Sequence, residues 1–112
     1  LEGEGISNYG ITINVMEKKV NKYHLTLKLL QDAGALIEPG KELMLEFDNH
    51  DEIFSIIERI KAKAIFENND HSTEFAIGLN MFSEVMLKNR NLPLFEELRP
   101  AFQSFMKRLK SA

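Results

Sequence analysis

ELMLEFDNHDEIFSIIERI, residues 42–60, changes its period partway along. In the first half Leu43, Leu45 and Phe47 alternate with Met44, Glu46 and Asp48, the two-residue repeat of a strand with one apolar and one wet face. From Ile53 the repeat becomes helical: Ile53, Ile56, Ile57, Ile60 and Ala64 fall at i, i+3, i+4, i+7 and i+11, which predicts a helix over 51–66. A strand with one wet face belongs to an antiparallel sheet, and a helix following it at once points to the α+β class.

Upstream, KYHLTLKLL (22–30) alternates in the same way. Tyr23, Leu25, Leu27 and Leu29 share one face, and His24, Thr26 and Lys28 the other. Between the two strands QDAGALIEPGK (31–41) carries the turn pair Pro39-Gly40, so an antiparallel hairpin with a long loop is expected.

Downstream the chain reads as helix. In the segment 72–89, Phe75, Leu79, Phe82 and Met86 form one stripe while Ile77, Met81 and Val85 form a second beside it. A helix apolar over so wide an arc is covered on more than one side and is expected to be the central one. Gly78 within it costs about 1 kcal/mol relative to alanine, which points to close backbone approach by a neighbour. Pro93 and Pro100 suit first-turn positions and bias the residue before each out of helix. A short helix over 93–98 and a last one over 100–110 follow, the alternative being one helix kinked at Pro100. Phe102, Phe105, Met106 and Leu109 give the last helix an apolar face, and Lys107, Arg108 and Lys110 complement its dipole.

FDNHDEIF (47–54) most resembles chemistry. Asp48, His50 and Asp51, with Glu52, are ligand types for zinc or manganese, and a carboxylate–histidine pair can transfer protons. The same letters also start a helix. Asn49 and Glu52 have the N-cap and N3 spacing of a loose capping box, and first-turn acids suit the positive end of the helix dipole. ENNDHSTE (67–74) repeats the composition just before the next helix, so one rule explains both stretches, and capping is the preferred reading. His24 sits on a wet strand face and needs no special role. No phosphate-binding glycine loop, nucleophile elbow or His-Glu-x-x-His occurs.

Composition narrows the classes further. The 112 residues are 44% hydrophobic and 28% charged, as expected of one globular domain. The net charge of −3 argues against non-specific nucleic-acid binding, and without cysteine there is no disulfide, thiolate metal site or cysteine nucleophile. No apolar run reaches the length of a membrane span. Charge is polarised. Lys88, Arg90, Arg99, Lys107, Arg108 and Lys110 outnumber Glu96 and Glu97 toward the C-terminus, while acids dominate 42–74. Such polarity can steer an acidic partner or favour head-to-tail association, although a solvated, dipole-matched helix accounts for the basic end.

Residues 1–15 differ in character from the rest. Tyr9, Ile11, Ile13 and Val15 alternate with polar or small residues, and Met16 suits a natural start. This extension is read as either non-native or an added strand, and 16–112 as a single α+β domain.

With FDNHDEIFSIIERI followed by FSEVMLKNR (82–90) and PLFEELRPAF (93–102), the chain resembles a family of small bacterial proteins, domain-of-unknown-function family 3861, from about Tyr23 to Leu109. The resemblance implies a bacterial single-domain cytosolic protein and carries over no catalytic residues. The combined expectation is a small antiparallel sheet, a hairpin with or without an extra N-terminal strand, packed on one face by three to four helices. The chain is read as a cytoplasmic, non-enzymatic protein-interaction module. It needs no cofactor or metal, binds neither nucleic acid nor membrane, and engages an unidentified protein partner. It acts as a homodimer joined at the sheet edge or through the apolar helices, because a two-stranded hairpin is marginal alone and its edges invite pairing. The competing reading is a small-ligand-binding or metal-dependent enzyme using Asp48, His50 and Asp51. A nucleic-acid site on the basic C-terminal helix ranks below both.

Overall fold

The computed structural model describes residues 20–31 and 41–112, which fall into two units divided between His50 and Asp51. The first contains an antiparallel hairpin of β1 (Asn21–Lys28) and β2 (Glu42–Asn49). The second is helical, with α1 (Ile53–Ala62), α2 (Asn69–Lys88), a 3-10 turn at Pro93–Phe95 and α3 (Leu98–Ser111). The α+β class read from the sequence is the observed one. Both the 1–15 extension and the Pro39-Gly40 turn lie outside the described residues.

The hairpin follows from its alternation. Tyr23 pairs with Phe47, Leu25 with Leu45 and Leu27 with Leu43, so the apolar residues of both strands share a face. The Tyr23 and Phe47 rings stack with centroids 5.4 Å apart, a cross-strand aromatic pair of the kind that fixes register. Burial along this face is graded. Tyr23, Leu25 and Phe47 are half-buried, whereas Leu27 (64%), Leu43 (56%) and Leu45 stand exposed. The Leu29 amide donates to the Lys41 carbonyl at 3.1 Å, extending the ladder one step beyond the strands.

In the helical unit α1 buries Ile53, Ile57 and Ile60 and packs against α2. The helix is shorter than the expected 51–66. It ends after Ala62 because Ala64 takes the left-handed conformation, φ 55°, and its amide turns back to the Lys61 carbonyl at 3.1 Å. Ala64 therefore lies outside the apolar stripe to which its spacing assigns it, and is exposed. A left-handed residue at this point reverses the chain and frees the next segment to begin α2.

α2 is central within its unit. One side packs on α1, and another meets α3 through aromatic rings. Phe75 contacts Phe66 and Phe105, Phe82 contacts Phe95 and Phe102, and Phe102 contacts Phe105, at centroid distances of 5.1–6.3 Å. Six phenylalanines thus form one continuous chain of tilted and edge-on contacts, the geometry favoured by ring quadrupoles. The close neighbour expected at Gly78 is absent among the described residues: a Cβ built there meets nothing within 4 Å.

The C-terminal reading needs two corrections. The segment predicted as a helix over 93–98 is a single 3-10 turn, with Pro93 at its first position behind an extended Leu92. The last helix begins at Leu98, so Arg99 is helical despite preceding a proline. Pro100 still lies in the first turn, where its missing N–H removes no intrahelical bond. The Arg99 guanidinium holds this start by donating to the Arg90 carbonyl. At the far end Lys63 donates to the Lys110 and Ala112 carbonyls, both at 3.1 Å, placing a cation on the negative end of α3.

Candidate functional site

The acid–histidine stretch spans the end of β2 and the start of α1. Asn49 is not the helix cap. It is the last residue of β2, opposite Asn21, and its side chain is buried (1% exposed). The strand continues through it, and the Asn21 side-chain Nδ2 donates to the Asn49 carbonyl at 3.5 Å. The cap is Glu52, the residue expected three positions into the helix. Its carboxylate accepts from the Phe54 and Ser55 amides at 3.0 and 3.2 Å and from the Ser55 hydroxyl at 2.7 Å. The principle of a helix start collecting acceptors holds, with the box shifted by three residues to Glu52-x-x-Ser55. The Ser55 hydroxyl, with the two amides in support, holds the Glu52 carboxyl below its usual 4.5.

Asp48 closes an ion pair with Lys22 across the hairpin at 3.3 Å. His50 and Asp51 occupy the bend between β2 and α1, both exposed. Among the described residues no three histidine or carboxylate side chains are grouped so as to hold a metal ion. The second stretch starts a helix as expected. Asn68 caps α2, accepting from the Asp70 amide at 2.7 Å, and His71 lies exposed in the first turn.

Sequence reasoning missed a polar seam inside the helical unit. Ser72, Ala76, Asn80 and Glu84, spaced four apart along α2, are all buried. Asn80 Nδ2 donates to the Ala76 carbonyl at 2.7 Å, and the Ser72 hydroxyl is buried with no hydrogen-bond partner among the described residues. The four-residue spacing was available as a signal, but polar letters at those positions read as solvent-facing.

Among the described residues, concave surfaces with apolar linings occur in both units. One, of about 410 Å³, lies between Phe66, Phe75, Phe105 and Leu109, with Arg108 at its edge. Another, of about 570 Å³, lies at the far end of the hairpin around Leu27, Leu29 and Leu43. The hairpin's wet face is sorted by charge. β1 contributes Lys22, His24 and Lys28, and β2 contributes Asp48, Glu46 and Glu42 opposite them. The His24 ring lies 3.6 Å from Glu46. No helix among the described residues is long and apolar enough to cross a membrane.

These features define a small α+β protein whose polar cluster is a strand-to-helix junction. The family described as a domain of unknown function with a solved structure, DUF3861, matches residues 21–111, and the chain belongs to it. A protein of unknown function (eca1910) from Pectobacterium atrosepticum scri1043, known from its crystal structure, is similar, with 31% identity and a TM-score of 0.73. The match covers 84% of this chain and 100% of that one. Comparison with curated proteins returns no match.

Proposed function

We propose that this chain is a non-enzymatic, cytoplasmic protein-interaction module of a bacterium, acting as a homodimer. The observation that carries the reading is an imbalance of apolar surface. Among the described residues sixteen large hydrophobic side chains are exposed, against six buried hydrophobic ones. Scattered apolar residues are normal on a monomer, but a surplus of this size that includes adjacent side chains marks a binding surface.

Of the two dimer modes considered, charge favours the helices over the sheet edge. Symmetric antiparallel pairing of two β1 edges about Leu25 sets Lys22 against the copy's Lys28, and pairing of two β2 edges about Leu45 sets Glu42 against the copy's Asp48. Like charges opposite one another destabilise a ladder. Pairing β1 of one copy with β2 of the next is complementary but heterologous, and does not close into a dimer.

Native mass spectrometry of the full chain tests the proposal, and a dominant dimer is the expected species. A zinc titration addresses the enzymatic alternative. Tight zinc binding lost in His50→Ala would overturn the non-enzymatic reading.

A further inference from the structure

α2 presents a heptad-spaced stripe to solvent: His71, Glu74, Gly78, Met81, Val85 and Lys88 follow one another at intervals of three and four. Alternating threes and fours keep residues on a single seam, the spacing by which two helices pack at a shallow angle. Every member is exposed except Met81, which is half-buried, and Val85 is 53% exposed. The ring contacts with α3 do not use this stripe. They are made by Phe75 and Phe82, and the buried residues Ser72, Ala76 and Asn80 of α2 are also outside the stripe.

The middle of the stripe is Gly78, Met81 and Val85. A glycine in mid-helix weakens the helix relative to alanine, and here no described residue explains it, since a Cβ would meet nothing among them within 4 Å. The missing side chain lets a second backbone come close at that point. The ends of the stripe state which second backbone. Glu74 and Lys88 lie seven residues on either side of Met81, roughly 10 Å each way at 1.5 Å per residue. Asp70, in the first turn of α2, adds to the acidic end.

We infer that α2 is the dimer interface, crossing α2 of a second copy antiparallel near Gly78 and Met81, with each Glu74 against the other's Lys88. A parallel crossing would put acid on acid and base on base, whereas the antiparallel two-fold arrangement pairs opposite charges at both ends. The seam is therefore self-complementary, as an isologous interface must be. This inference rests on the homodimer reading above and adds the surface and its polarity.

Charge reversal tests it in the full chain. Glu74→Lys alone and Lys88→Glu alone each turn both cross-pairs repulsive, and each should raise the dimer dissociation constant about tenfold. Mixing the two variants pairs lysine with glutamate at both ends and should restore wild-type association as a heterodimer. Because the chain has no cysteine, Met81→Cys should cross-link covalently on mild oxidation, while Glu58→Cys on α1 should not. A wild-type dimer that ignores both reversals, or that cross-links equally from either position, overturns the α2 interface and leaves the homodimer standing. A chain that stays monomeric at every concentration overturns both.

Discussion

The Ser55 hydroxyl donates to the Glu52 carboxylate at 2.7 Å, closing the first turn of α1 on the residue that caps it. This contact converts a suggestive polar cluster into the start of a helix. Glu52 spends both carboxylate oxygens on Phe54 and Ser55.

Stability should therefore depend on the charge of Glu52. Its carboxyl is held below 4.5 in the folded chain, chiefly by the Ser55 hydroxyl. A depressed carboxylate contributes stability that is present above the ordinary value and lost as the pH falls through the folded one. Urea unfolding followed from neutral pH down past 4.5 should show a loss in the wild type that is smaller in Glu52→Gln. Ser55→Ala should lower the unfolding midpoint at neutral pH.

Relief of backbone strain should act in the opposite direction. Ala64 holds φ 55° with an exposed side chain, so nothing is lost by removing its methyl. Ala64→Gly should stabilise the fold by about 1 kcal/mol, since left-handed backbone disfavours a residue bearing Cβ. The urea midpoint reads this directly. A destabilised variant would mean that Ala64 is not left-handed in solution.

The unpartnered hydroxyl of Ser72 yields a second stabilising change. Burying a polar group without a hydrogen bond is unfavourable, and alanine is the better helix former. Ser72→Ala should raise stability by about 1 kcal/mol, measured as a higher thermal midpoint. A drop of similar size would reveal a hydrogen bond to that hydroxyl.

Within α1, two apolar residues should respond very differently to truncation. Ile60 is 4% exposed and faces the core, whereas Phe54 is 69% exposed. Ile60→Ala should cost about 2–4 kcal/mol, and Phe54→Ala should stay within about 0.5 kcal/mol in the monomer. Equal losses would show that Phe54 is covered by something else.

The contrast between these residues shows what could be read from letters. The hairpin was legible because its alternation is unbroken from Tyr23 to Leu29 and from Leu43 to Phe47, and a slip of one residue would put the apolar residues on opposite faces. Element boundaries were harder because local preference lost to its surroundings. Asn49 is the better intrinsic cap, but the strand ladder already held it opposite Asn21, leaving the role to Glu52. Ala64 fits a helical stripe by spacing, yet the chain turns there. Arg99 precedes a proline, yet its contact with the Arg90 carbonyl holds it in the first turn of α3. Gly78 stands out in the sequence, but no neighbour among the described residues explains it.

Sedimentation equilibrium of the full chain, run from low to high micromolar concentration, tests the central claim most directly. The account predicts an average mass that climbs with concentration to a plateau at twice the mass of one chain. A mass fixed at that of a single chain across the whole range would contradict it.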